Sequence, residues 1–178
     1  MKRLGIALAI VSAILVIGGL SFMSYSAYLS YATAKSPTPA PSKYDVGPPD
    51  AQEMLELVNA ERAKANVPAL TYSKPIETVA QMKTDDFHLR DYYSHEIKGQ
   101  ADGYWLTPEM KAIAQPLCNS YAENLTSAAT SRETVTRWMN STAHREAILD
   151  PTYITTGFGI SEGKGDWYYV SEHFCVAK

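Results

Sequence analysis

The apolar pattern of this chain changes period once, and that change limits the folds open to it. Up to residue 149 apolar residues recur at helical steps. From residue 154 the chain shifts to two runs rich in aromatic and β-branched side chains, 154–160 and 167–176, joined by the Gly-containing segment 161–166. Such runs around a Gly-rich connection predict a β-hairpin. Helices first and a hairpin last imply an α+β domain, and a sheet covered by helices on both faces is the expected arrangement.

The helical part resolves into segments. Met54, Leu55, Val58, Arg62 and Ala65 fall at three- and four-residue steps, and Asn66-Val67-Pro68 ends that helix. A second helix starts near Pro75, where proline suits a first turn, and runs to about Asp91. Its inner face is Ile76, Val79, Ala80, Met82 or Lys83, and Phe87. Residues 96–120 read as irregular, with a short helix over 107–114. Residues 121–125 are too short to assign. Thr130 and Glu133 have capping-box spacing and open a helix carrying Val135, Trp138 and Met139. Trp138 is expected in the core. A further short helix spans 142–149, stopped by Asp150-Pro151.

The domain itself is expected to occupy residues 51–178. Before it, Lys2 and Arg3 precede an uncharged apolar run over residues 4–23, long enough to cross about 30 Å of hydrocarbon as a helix. Signal peptides have apolar cores of roughly 7–15 residues, so residues 1–35 read as a signal-anchor in preference to a cleaved signal. Either way the basic residues stay inside and the remainder is extracytoplasmic, secreted if the leader is cleaved and otherwise held at the membrane by the N-terminal helix. Residues 36–50 carry five prolines and little apolar surface, and read as a semi-rigid spacer.

From Ser36 onward, 13 Lys and Arg face 19 Asp and Glu, a net charge of −6. That argues against a nucleic-acid partner. The two cysteines, Cys118 and Cys175, are expected to pair in an exported domain, tying the loop before Glu123 to the last strand.

Three short pieces carry the chemistry: Tyr93-Ser94-His95, Tyr121-Ala122-Glu123-Asn124-Leu125, and Trp138-Met139-Asn140-Ser141-Thr142-Ala143-His144-Arg145. Imidazole nitrogens and a carboxylate oxygen are the groups that hold a divalent metal or move protons. Read singly, each is as well explained by a helix-surface histidine or a carboxylate that caps a turn or pairs with Arg145 or Arg62. His88 reads as a solvated helix residue, and His173 as a partly buried strand residue on the face of Ser171 and Cys175.

Together with Asn59-x-x-Arg62, Pro68-x-Leu70, Ile148-Leu149 and Thr156-Gly157-Phe158-Gly159, these pieces resemble bacterial members of the CAP superfamily. These are the SCP-like extracellular domains related to cysteine-rich secretory proteins, antigen 5 and plant pathogenesis-related proteins. The resemblance spans roughly residues 50–176. It implies an α-β-α sandwich with an open cleft of histidines and glutamates. His95 matches the first cleft histidine, Glu123 the glutamate of the Gly-Glu-Asn motif with Ala122 in place of glycine, and His144-Arg145 the bacterial His-Arg pair. The eukaryotic branch has a second glutamate where Ser141 stands, and its second histidine would fall near Thr152 or Tyr153.

The expected cleft is therefore His95, Glu123, His144, Arg145, Ser141 and Tyr93. His95 and His144 are candidate ligands of a divalent cation such as Zn²⁺, although their spacing is unlike that of zincins. No Gly-x-Ser-x-Gly elbow occurs, which ranks serine hydrolysis below zinc chemistry. Tyr92, Tyr93, Tyr104, Trp105 and Tyr121 gather near the cleft, as suits ring stacking on sugars or amphipathic ligands. The Asn124 and Asn140 glycosylation sequons read as coincidence. The leading expectation is a module that binds a lipid, glycan, peptide or protein. A metal-assisted or acid–base hydrolase of peptide or cell-wall bonds, with His95, Glu123 and His144 as candidate catalytic residues, is the alternative. A structural or adhesive surface protein is the third reading.

Overall fold

The computed structural model describes residues 40–99 and 105–178. The apolar run 4–23, residues 36–39 of the expected spacer and Tyr104 lie outside them. Among the described residues no helix is long and apolar enough to cross a membrane.

Helix α1 (Ala51–Lys64) starts where the Asp50 side chain accepts from the Glu53 N–H, and the chain turns away at Asn66, whose φ of 58° is left-handed. It buries Met54, Val58 and Arg62, one residue per turn. A buried guanidinium is tolerable only with its donors satisfied. Arg62 donates to the carbonyls of Pro68, Ile148, Asp150 and Tyr153 at 2.6–3.1 Å, tying α1 to two distant loops. Strand β1 (Thr71–Tyr72) is followed by α2 (Lys74–Arg90), which has proline in its first turn and ends at Asp91 with φ 47°. Of the two residues expected at one position of its inner face, Lys83 is fully buried and Met82 only in part.

Helix α3 (Pro108–Ala114) is capped by Thr107. Strand β2 (Cys118–Ala128) corrects the reading of its region as irregular or unassignable. It is eleven residues long, but Asn119, Ser120, Glu123, Asn124, Thr126 and Ser127 erase the apolar signature of a strand. Helices α4 (Ser131–Asn140), capped by Thr130, and α5 (Thr142–Leu149) follow. Strands β3 (Thr155–Glu162) and β4 (Tyr168–Ala177) form the predicted hairpin.

The four strands lie in the order β1-β3-β4-β2, so β2 is an edge strand. β1 pairs with β3 in parallel, and the other two pairings are antiparallel. Alternation divides the side chains between two faces. On one face Phe158, Val170 and Phe174 pack with Met54, Val58, Trp138 and Ile148 from α1, α4 and α5. The other face receives α2, which lies so close that a Cβ on Gly157 would stand 2.1 Å from the Glu77 nitrogen. A mixed α+β domain with helices on both sheet faces is the expected class. Cys118 and Cys175 are disulfide-bonded with Cα atoms 5.4 Å apart. Cys118 is the first residue of β2 and not part of a loop, so the bond joins two paired strands.

The described part of the expected spacer is docked on the domain. Lys43–Asp45 form a 3-10 turn in which Lys43 and Tyr44 both bond Glu56 and Asp45 pairs with Arg132 at 2.6 Å. Prolines suggested an extended chain there, but Lys43, Tyr44 and Asp45 carry the contacts.

Candidate functional site

Glu123 is the centre of the site. It stands on the α2 side of edge strand β2, directly opposite His173 of β4. Its Oε1 is 2.7 Å from His95 Nδ1 and its Oε2 is 3.0 Å from His173 Nε2. The second contact has ion-pair distance but not hydrogen-bond angles. Lys83 of α2 completes the shell, with Nζ 3.7 Å from Oε2. The Glu123, His173 and Lys83 side chains are all but sealed from water, whereas His95 is 40% exposed. The cluster therefore opens to solvent through one imidazole, whose Nε2 has no hydrogen-bond partner among the described residues.

The electrostatics follow from this cage. Burial alone would raise the Glu123 carboxyl, but contacts from His173 and His95 and the charge of Lys83 outweigh it and bring it down to about 2. Burial lowers Lys83, and Glu123 pulls it back. Lys83 also donates to the His95 carbonyl and, at 3.3 Å, to that of Trp105. One buried ammonium thus fixes both the glutamate and the backbone that carries His95.

The opposite sheet face holds a second carboxyl. Asn124 pairs with Glu172 across the same ladder, and the Asn124 amide donates to the His144 carbonyl at 3.1 Å, seating α5 against the sheet. Glu172 is fully buried beside the Thr156 hydroxyl at 3.2 Å. Burial raises it to about 8 against the opposing pulls of Thr156, Arg62 and Asn124. His144 is half-buried, and both burial and the neighbouring His95 lower its pKa.

The structure thus brings His95, Glu123 and His144 to one region, but with unforeseen partners. Glu123 neither caps a turn nor pairs with arginine. Arg145 donates instead to the Met139 carbonyl at 3.0 Å, closing the end of α4, and Arg62 serves backbone carbonyls. Ser141 is the junction residue between α4 and α5. Tyr93 is exposed and stacks on Tyr169 with centroids 5.8 Å apart. His88 is exposed and meets the Glu162 carbonyl at 3.1 Å, away from the cluster. Asn124 is buried, so its sequon is no accessible glycosylation site.

Two residues escaped the sequence reading. His173, expected to be partly buried, is 3% exposed and belongs to the cluster. Its position opposite Glu123 follows only once β2 is known to pair with β4. Lys83 did carry a signal, a cation between Val79 and Phe87 on an apolar helix face. Chemically, the cluster offers an oriented imidazole and fixed charges. Ser94 Oγ accepts from the Glu96 N–H at 3.2 Å, and both cysteines are oxidised. Among the described residues no hydroxyl or thiol is hydrogen-bonded to either cleft imidazole. Nor is any group of three or more His, Cys, Asp or Glu arranged to hold a metal ion among them. The cation already beside Oε2 is Lys83.

The fold and this cluster define the class: a layered α+β domain whose cleft is built on imidazoles gripping a glutamate at the sheet edge. The chain belongs to the cysteine-rich secretory protein (CAP) family, whose model matches residues 55–177. It is 29% identical over 117 residues to the uncharacterized Bacillus subtilis protein YkwD, covering 65% of this chain and 44% of that protein. To the uncharacterized B. subtilis membrane protein YlbC it is 26% identical over 123 residues, covering 69% of this chain and 33% of that protein. The chain thus spans less than half the length of these curated relatives. Among solved structures it is similar to an outer surface protein of Borrelia burgdorferi (TM-score 0.60, 20% identity, 71% of this chain and 94% of that one). An SCP-domain extracellular protein of Bacillus anthracis also matches (TM-score 0.56, 19% identity, 70% of this chain and 39% of that one).

Proposed function

We propose that this chain is an extracytoplasmic CAP domain, tethered to the membrane by its N-terminal apolar segment, that binds a ligand in the cleft of His95, Glu123 and His144. The disulfide, the apolar run 4–23 and the likeness of the fold to an extracellular protein and an outer surface protein support the location. The observation that carries the binding reading is the caging of Glu123 by charged and imidazole partners. A carboxylate held between two imidazoles and an ammonium is a fixed electrostatic element that accepts from His95 Nδ1 and so holds the ring with its Nε2 turned outward. The test is retention of full-length protein on immobilised envelope lipids, glycans and peptides. Retention by one class that falls at least tenfold in His95→Ala is expected, and no retention by any class overturns the reading.

A second reading, a hydrolase of peptide or cell-wall bonds, has one observation in its favour. The 2.7 Å Glu123–His95 contact orients an imidazole as general-base pairs do. It predicts turnover that Glu123→Gln abolishes, and absence of turnover on peptide and cell-wall substrates rules it out.

A further inference from the structure

Among the described residues three large aromatic side chains remain more than a third exposed: Tyr93 at 47%, Trp105 at 42% and Trp167 at 38%. Trp105 and Tyr93 attach to groups around Glu123, and Trp167 continues the row through Arg137. The Trp105 ring centroid is 5.2 Å from that of His95, tilted by 31°. Tyr93 stacks on Tyr169, and its phenol is raised to about 12, first by burial and then by Glu123, while the charge of Arg137 opposes the rise. Arg137 in turn lies 4.7 Å over the Trp167 ring. Glu123 pairs with His173, Ser127 with Tyr169 and Ala128 with Tyr168, so these aromatics form a row that starts beside Glu123 and runs along strand β2 toward its far end.

From this row we infer that the cleft takes an uncharged glycan strand, stacking sugar rings on Trp105, Tyr93 and Trp167. The inference rests on the binding reading and names its ligand class. Each ring is held by a neighbour, so little side-chain freedom is lost when a ligand lands on it. Pyranose rings present flat C–H faces to aromatic rings and hydroxyls to the polar groups between them, and this row supplies His95 Nε2 and the Arg137 guanidinium. The charges of the row are balanced. Arg137 is bonded to Glu133 at 2.9 Å and Lys83 lies against Glu123, while the chain beyond Ser36 is net negative. An anionic polymer finds no surplus of positive charge. An acyl chain needs an enclosed apolar pocket, whereas these rings are open and interleaved with polar groups.

The test is calorimetric titration of full-length protein, held in a polyoxyethylene detergent, with β-1,4-linked glucose and N-acetylglucosamine oligomers from dimer to hexamer. Saturable binding that tightens with oligomer length is expected. Trp105→Ala and Trp167→Ala, both exposed positions, should each weaken it roughly tenfold with unchanged melting temperature. Absence of saturation at millimolar oligomer, or binding indifferent to both substitutions, overturns the inference. Retention of a peptide or lipid in its place, sensitive to His95→Ala, overturns the glycan class while leaving the binding reading intact. Loss of every ligand class overturns both.

Discussion

Glu123 and Glu172 sit one register apart across the β2–β4 ladder, face opposite sides of the sheet, and titrate in opposite directions. Glu123 is surrounded by cationic and imidazole partners and stays ionised down to about 2. Glu172 meets a hydroxyl and an amide, with Arg62 occupied by carbonyls, and takes its proton up to about 8. Burial is common to both, so the partners decide the charge.

This contrast fixes a pH dependence. A carboxyl lowered by folding contributes stability above its unfolded pKa and loses it as pH falls toward 2, whereas a raised one loses stability as pH climbs from the unfolded value to the folded one. Glu172 therefore costs stability progressively between about pH 4.5 and about pH 8. Glu172→Gln should remove that slope. Thermal melts are expected to show the variant gaining up to roughly 4 kcal/mol on wild type between pH 5 and pH 9, a melting shift of about ten degrees. Parallel melting curves for the two proteins across that range would contradict the assignment.

Lys83 and Glu123 form a sealed pair, and breaking one side strands the other. Glu123→Ala should destabilise by about 3–5 kcal/mol, because an uncompensated ammonium remains at zero exposure. Combining it with Lys83→Met, which is similar in volume and uncharged, should recover at least half of that loss in denaturant unfolding. Additive losses in the double variant would show that the pair is not the source of the cost.

The same pair marks where sequence reading reached and where it stopped. The closing hairpin, the inner face of α2 and the Trp138 helix were legible because period and side-chain volume state their roles locally. His95, Glu123 and His144 were legible as residues but not as partners. The contact of Glu123 with His173 depends on which strands pair, and that is decided 50 residues apart in the chain. Strand β2 hid because an edge strand that carries a site exchanges apolar alternation for polar groups. Lys83 on an apolar face was the one local clue to a buried counter-charge, and its readiness to pair is what the pattern alone cannot state.

The proposed cleft should not depend on a metal. Both Glu123 oxygens are engaged, and an ammonium 3.7 Å away repels a divalent cation as it stabilises the carboxylate. Apart from Glu123, the imidazoles of His95 and His144 are the ligands left from the expected set, fewer than the three protein ligands usual for catalytic zinc. Protein dialysed against a chelator is expected to keep its ligand affinity and melting temperature. A loss of either that stoichiometric Zn²⁺ restores would place a metal in the cleft.

Glycine at 157 and 159 sets the distance between α2 and the sheet, and hence the reach of Lys83 to Glu123. A Cβ at Gly159 would stand 2.1 Å from the Ala80 carbonyl oxygen, and one at Gly157 equally close to the Glu77 nitrogen. Both obstacles are helix backbone, which cannot swing aside as a side-chain tip can, so α2 itself would have to move outward. That shift would also pull Ser171 from the Ala80 carbonyl, a buried 3.0 Å hydrogen bond, and draw Lys83 off the glutamate. Gly159→Ala is therefore expected to cost at least about 3 kcal/mol, at the upper end for overpacking. Any folded fraction should also lose ligand binding, although the substitution touches no cleft residue. The check is a denaturant melt alongside the same titration used for the cleft. A Gly159→Ala protein with wild-type stability and affinity would show that α2 can be displaced without disturbing the Glu123 cage.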